Sequence, residues 1–189
     1  AGLLTKVGIY SLIRVQTLMF PGDRLHTLLM WAALLTMVVG ILGAVAQEDV
    51  KRILSFTLVS HIGYMLFGLS VGNVVGLGAA IYYVVHHITI QTTLFLVIGL
   101  VELKRGTTSI AKLGGLVVTA PLLSLLFFIP AMNLSGIPPL SGFIGKVGLL
   151  QAGAELGTPL GYTLIAGSAL TSLLTLYAMS RVWSRAFWR

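Results

Sequence analysis

The sequence contains no cysteine. A disulfide framework, a zinc–thiolate centre, an iron–sulfur cluster ligated by this chain and a thiol nucleophile are all excluded. Charge is scarce as well: 9% of the 189 residues are charged, twelve basic and five acidic. A soluble domain carries about 25% charged residues, and so few charges cannot cover a water-facing surface. A soluble globular enzyme is excluded, and a disordered tail, which needs low hydrophobicity, is excluded with it. No two carboxylates lie inside one apolar run, and no glycine-rich phosphate loop follows a strand pattern.

Apolar sequence is what the chain has in abundance. Hydrophobic residues make up 57% of it, and the mean hydropathy is +0.99. A bilayer core about 30 Å thick requires about 20 residues of apolar helix. Six segments meet that length, at about 1–20, 27–46, 53–72, 75–101, 114–152 and 160–184. From Ile53 to Val101 there is no Asp, Glu, Lys or Arg at all. The expected fold is an all-α polytopic transmembrane helix bundle in a lipid bilayer, forming one region. The chain opens Ala1-Gly2-Leu3-Leu4 inside an apolar run, and is read as part of a longer polytopic protein.

The net charge of +7 does not point to nucleic acid, because the basic residues stand at the ends of apolar spans rather than in one patch. If each segment crosses once, one side receives Lys51, Arg52, Lys104, Arg105, Lys112, Arg181, Arg185 and Arg189. The other receives Arg24, with Arg14 snorkelling towards it. The basic side is expected to be cytoplasmic, which places both chain ends there. Trp183, Phe187 and Trp188 read as an interfacial aromatic belt. Gln47, Glu48 and Asp49 precede the third span, where a helix dipole favours acids.

The fifth segment is unlike the others. Between Pro130 and Gly142 it holds Pro130, Pro138, Pro139, Gly136 and Gly142, with Ser135 among them. Such a stretch does not sustain a continuous helix, and a break is expected near 133–142. Broken backbone at membrane depth persists only against protein or a wet cavity, and discontinuous helices mark ion sites in transporters. The alternative is a loop joining two tight crossings, but that would reverse the last span and spoil the charge asymmetry.

Ionisable side chains inside the spans are candidates for function, because placing them there costs about 2.5–3.5 kcal/mol each on the insertion scale. Lys6 lies in the first span, with Tyr10 and Arg14 on the same helical face; the alternative is an interfacial lysine. His61 shares a face with Thr57 and Tyr64. The fourth span carries one stripe of Tyr83, His87 and Gln91, and a second of Tyr82, His86, Thr89 and Thr93. Each histidine taken alone reads first as a satisfied interhelical hydrogen bond. Lys146 stands just after the broken stretch within apolar sequence; its alternative is snorkelling to the interface. Histidine and a buried lysine both exchange protons, so together these residues read as a proton relay. No metal site and no cofactor is expected.

Two stretches carry a family resemblance. Ala46-Gln47-Glu48-Asp49-Val50-Lys51-Arg52-Ile53-Leu54-Ser55-Phe56, followed by Val59-Ser60-His61-Ile62-Gly63-Tyr64-Met65, resembles a stretch of the antiporter-like membrane subunits. That family includes the A-type and D-type subunits of Mrp cation/proton antiporters and the L, M and N subunits of respiratory complex I. The resemblance extends over essentially the whole chain. Tyr82-Tyr83-Val84-Val85-His86-His87, Lys112-Leu113-Gly114-Gly115-Leu116 and Asn133-Leu134-Ser135-Gly136-Ile137-Pro138-Pro139-Leu140-Ser141-Gly142-Phe143 are most similar to the D-type subunits.

The resemblance implies a proton path at mid-membrane through Lys6, His61, His87 and Lys146, with His86 as neighbour of His87. It implies a secondary transporter rather than an enzyme, exchanging sodium or another monovalent cation for protons in the bacterial cell membrane. It also implies partner subunits in a hetero-oligomeric Mrp complex. The family's subunits contain two inverted repeats, and this chain matches most of the second. A proton-translocating subunit of a redox-driven NADH or ferredoxin dehydrogenase is the alternative, built on the same residues.

Overall fold

The structure, a computed structural model, describes residues 2–20 and 25–188. Eight α-helices form among the described residues, and no strand does. They are α1 (Leu4–Met19), α2 (His26–Ala46), α3 (Val50–Ser70), α4 (Val74–Arg105), α5 (Leu116–Thr119), α6 (Pro121–Ser135), α7 (Ser141–Leu156) and α8 (Pro159–Val182). A π-helical turn, Trp183–Trp188, continues α8. The expected all-α bundle with one discontinuous helix is the observed architecture. Four elements are singly long and apolar enough to cross a membrane: α2, α3, α4 and α8 with its extension. The 16-residue α1 and the α6 and α7 pieces are shorter.

Local chemistry sets the helix ends. Asp49 caps α3 by accepting from the Arg52 amide at 3.2 Å, as the acidic run before that span led one to expect. Asn73 caps α4 through the Gly76 amide at 2.6 Å, and Thr158 caps α8 through the Gly161 amide at 3.2 Å. Gly106, Gly136 and Gly157 end α4, α6 and α7 with positive φ, the left-handed stop that glycine adopts without penalty.

The helix break is narrower than the sequence indicates. Asn133, Leu134 and Ser135 remain helical, Gly142 already belongs to α7, and only Gly136–Leu140 separates the two. Pro130 sits inside α6 without ending it. The two pieces run once along α4. At one end the Lys104 amine donates to the Thr119 carbonyl at 2.6 Å and Arg105 to Gly114 at 3.0 Å. At mid-length His86 meets Ser141, and at the far end Asn73 donates to Glu155 at 3.3 Å. The fifth segment is therefore one interrupted passage, not two crossings.

Lys51, Arg52, Lys104, Arg105, Lys112, Arg181 and Arg185 collect at a single end of the bundle, away from Arg14 and from the buried Lys6 and Lys146. Lys51 pairs with Glu102, and Arg181 donates to the carbonyls of Val45, at 2.7 Å, and Gln47. Asp49 and Ser109 form an isolated bridge that fastens the loop carrying Lys112 to the start of α3. Arg24 and Arg189, which entered the charge asymmetry, lie outside the described residues. The aromatic belt needs correction. Phe187 is fully buried, with its ring 4.6 Å from Phe127 and 5.3 Å from Trp183, and Trp188 alone of the three points outward. The π-helical turn brings Phe187 back onto α6.

Two apolar cores are stacked along the bundle. One lies towards the basic end and includes Ile41, Leu54, Leu94, Val97, Phe127, Leu134 and Met179. The other includes Met37, Tyr64, Phe67, Ala79, Tyr83, Leu149 and Leu164. On α3 the boundary falls between Leu54 and Tyr64, on α4 between Tyr83 and Leu94, and on α8 between Leu164 and Ala178. The buried polar side chains Thr57, His61, His86, His87, Gln91, Lys146, Ser168 and Thr171 occupy that boundary. Glycine permits close packing there: a Cβ on Gly63 would strike Met37 and the Ala33 carbonyl, and Ser60 donates to the Met37 carbonyl at 2.8 Å.

Candidate functional site

The polar boundary layer brings together the ionisable residues singled out in the sequence. Lys6 on α1, His61 on α3, His86 and His87 on α4 and Lys146 on α7 are all buried, none more than 7% exposed. A buried polar group without partners is costly, so the partners define the site.

The centre is aromatic. His61 Nδ1 lies 2.6 Å from the Tyr83 hydroxyl, and the His61 ring centroid lies 5.0 Å from that of His87. Tyr64 and Tyr83 flank His61 at 5.3 and 5.9 Å. Tyr83 also contacts the His86 ring at 5.4 Å. Helical spacing explains the cluster. Tyr83 and His87 are four apart on one face of α4, and His61 and Tyr64 three apart on one face of α3. Two packed helices therefore present two such pairs to each other.

Lys146 enters from the broken passage. Its amine donates to the carbonyls of Ser135, at 2.9 Å, and Leu134, at 3.2 Å. These are carbonyls of the last turn of α6, which the helix itself cannot satisfy. The amine also lies 5.1 Å over the Tyr64 ring. Lys146 is close enough to His61, His86 and His87 for their charges to interact, and Lys6 stands in the same relation to His61 and His87. Lys6 itself donates to Thr5 at 3.2 Å.

The break residues divide by role. Ser135 and Gly136 touch the lysine, and a Cβ on Gly136 would press on Lys146 Cδ and Nζ. Gly142 lies so close to the Asn133 carbonyl that a side chain would collide with it, and it would press on His86 Nε2. Pro138 and Pro139 lie in the connection between the helices.

Two sequence stripes come out differently. Tyr10 and Arg14 do not share the inward face of Lys6; they are exposed, and the buried face of α1 is Lys6, Ile9 and Gln16. The buried face runs from Lys6 round towards Ile9 and Gln16, and at about 100° per residue Tyr10 and Arg14 fall on the other side of Lys6. Of the second α4 stripe, His86 is buried while Tyr82 and Thr89 are exposed.

Several site residues were not found from sequence. Asn133 and Ser141 contact each other, and Ser141 contacts His86 Nδ1 at 3.0 Å. On α8, the Ser168 carbonyl and the hydroxyls of Thr171 and Ser172 surround the Tyr64 hydroxyl at 2.6, 2.7 and 2.9 Å. Their only sequence signal is small polar residues in a span, which is common in membrane helices. Gln91 donates to the Leu54 carbonyl at 2.7 Å. Among the described residues, neither ring nitrogen of His87 has a protein partner, nor has Nε2 of His61 or His86.

Known proteins share this arrangement of helices. The chain is 47% identical, over 99% of its length, to the D-type Na(+)/H(+) antiporter subunit of Alkalihalophilus pseudofirmus. It is 40% identical, over 98%, to the D-type Na(+)/H(+) antiporter subunit of Bacillus subtilis. It spans 38% of the length of each of these relatives. It superimposes on a chain of the Mrp complex of a Dietzia species with a TM-score of 0.95 at 37% identity, covering 100% of this chain and 35% of that one. A chain of respiratory complex I of Thermus thermophilus gives 0.89 at 28% identity, covering 98% and 39%. Residues 1–175 match the family model described as NADH:quinone oxidoreductase/Mrp antiporter, TM, and the chain belongs to that family of membrane subunits.

Proposed function

We propose that this chain forms part of the proton path of a multi-subunit monovalent cation/proton antiporter, with sodium as the exchanged cation. The observation that carries the reading is the polar layer itself. Five buried ionisable side chains from α1, α3, α4 and α7 lie in one layer between two apolar cores, with the His61 and His87 rings 5.0 Å apart at its centre. Intramembrane ionisable groups are retained for transport because they are expensive to insert. Similarity to proteins named as Na(+)/H(+) antiporter subunits supports exchange as the activity and sodium as the cation. The chain spans well under half of those subunits, so the exchange belongs to the assembled complex.

In this reading protons pass between Lys6, His87, His61 and Lys146, with His86 beside Lys146. The Tyr83 hydroxyl carries the contact at His61 Nδ1. Water completes the steps at the histidine nitrogens that no described protein group reaches, since buried polar atoms without protein partners are where internal water binds. The opening at Gly136–Leu140 frees the last carbonyls of α6 to hold the Lys146 amine. The complex lies in the bacterial cell membrane, and the basic end of the bundle faces the cytoplasm, with α1 entering from that side and α8 returning to it.

The test uses the complete complex in inverted vesicles from a host without sodium–proton antiporters of its own. Sodium added after energisation collapses the pH gradient reported by a dye. An assembled complex that responds to no monovalent cation contradicts the reading. The likeness to a chain of respiratory complex I favours a second reading, a proton-pumping subunit coupled to redox. Co-purification with iron–sulfur subunits would select it.

A further inference from the structure

The relay leaves Asn133 and the half-buried Ser141, which stand against His86, without a role. They lie where the interrupted passage bends, between α6, α7 and α4. Asn133 Nδ2 donates to Ser141 Oγ at 3.1 Å, and Asn133 Oδ1 stands 3.2 Å from the same oxygen. Asn133 Oδ1 also accepts the Gly142 amide at 2.8 Å, so it closes the first turn of α7. Ser141 Oγ in turn lies 3.0 Å from His86 Nδ1. His86 Nε2 takes no hydrogen bond from any described protein group.

We propose that Ser141 is a positioning residue for His86: its hydroxyl accepts from the imidazole Nδ1 and donates to Asn133, and so holds the ring in the tautomer whose Nε2 is free to exchange protons. The inference rests on His86 carrying protons, as proposed above. A hydroxyl both donates and accepts. In this arrangement the imidazole Nδ1–H donates to the serine oxygen, and the serine hydroxyl donates to Asn133 Oδ1. A proton is gained at Nε2 and lost from Nε2, so the only bond made and broken is Nε2–H. Nδ1 keeps its proton throughout, and none leaves Ser141 or Asn133. Nδ1 is matched in the neutral and the charged imidazole alike, which fixes the ring and leaves Nε2 as the atom that exchanges protons.

The same hydroxyl connects His86 to the break, because Asn133 Oδ1 accepts from both Ser141 and the Gly142 amide. Both donors lie in the first turn of the helix that bears Lys146 one turn later. The titratable groups around His86 are Tyr82, Tyr83 and His87 on its own helix, His61 on α3 and Lys146 on α7. Asn133 and Ser141, from α6 and α7, do not titrate.

The test compares Ser141→Ala, Ser141→Thr and His86→Gln in the complete complex, with exchange followed across a pH series and assembly checked on the same membranes. A cavity of about 370 Å³ beside Ser141, lined by Tyr82, His86, Thr89 and Asn133, has room for the threonine methyl. Ser141→Ala is expected to assemble, to lose roughly fivefold to tenfold of exchange and to displace the pH profile by about half a unit or more. Ser141→Thr restores both. A profile of Ser141→Ala that superimposes on the parent, at any amplitude, overturns the inference, as does failure of Ser141→Thr to restore it. If Ser141→Ala does not assemble, Ser141→Cys takes its place: similar in size but a poor hydrogen-bonder, it must also displace the profile. His86→Gln separates the two readings. Parent-like exchange in His86→Gln removes His86 from the relay, whereas its inactivity beside a parent-like Ser141→Ala overturns only the positioning role of Ser141.

Discussion

His61 Nδ1 lies 2.6 Å from the Tyr83 hydroxyl, and that contact joins the two helices that carry the buried histidines. It is made between residues 22 apart in sequence, at the boundary between the two apolar cores. Removing the hydroxyl leaves a fully buried imidazole nitrogen without its protein partner. Tyr83→Phe is expected to keep the complex assembled, because the ring and its packing stay. Exchange should fall by a factor of about two to ten, the worth of about 0.5–1.5 kcal/mol for one hydrogen bond. Vesicle exchange rates normalised to assembled complex check this.

Gly136 and Gly157 form a matched pair. Both end helices with positive φ, 85° and 64°, so alanine at either costs about 1–2 kcal/mol of backbone strain. Their surroundings differ. A Cβ at Gly136 would stand 2.8 Å from Lys146 Cδ, whereas one at Gly157 meets nothing within 4 Å. Gly136→Ala and Gly157→Ala should lower thermal stability in detergent similarly. Only Gly136→Ala should lose exchange, because only it displaces the lysine. Equal exchange in the two variants would separate the lysine's placement from function.

Tyr64 ties α3 to α8 through the Ser168 carbonyl and the hydroxyls of Thr171 and Ser172. Tyr64→Phe strands those buried groups, at a cost of about 1–3 kcal/mol. The lower melting temperature should come with exchange near the parent level, because the ring remains beneath the Lys146 amine. Tyr64→Leu removes the ring as well and should lower both. The two variants together separate the anchoring hydroxyl from the ring that faces the lysine.

Much of the site was legible because polar side chains inside long apolar runs are conspicuous. Lys6, His61, His87 and Lys146 stand out on that ground alone, and the Pro and Gly of 130–142 announce the break. What was not legible depends on partners distant in sequence. Ser168 and Thr171 look like ordinary small residues of a span until Tyr64, more than 100 positions earlier, meets them. Asn133 reads as part of the irregular stretch, yet it is helical and acts from the α6 side of the gap. The break is short because Gly136 supplies the left-handed stop by itself, while Pro130 is accommodated within α6. Tyr10 and Arg14 were misplaced because Lys6 stands at the edge of the buried face of α1, and steps of four lead away from Ile9 and Gln16 towards the outside. Phe187 was misplaced because a π-helical turn cannot be read from composition.

The central claim is that Lys146, held by the open end of α6, carries protons for exchange. Lys146→Ala in the complete complex, assayed in energised inverted vesicles with sodium added to a dye-reported pH gradient, tests it most directly. The account predicts an assembled complex in which sodium no longer collapses the gradient. Parent-like exchange from the assembled Lys146→Ala complex would contradict it.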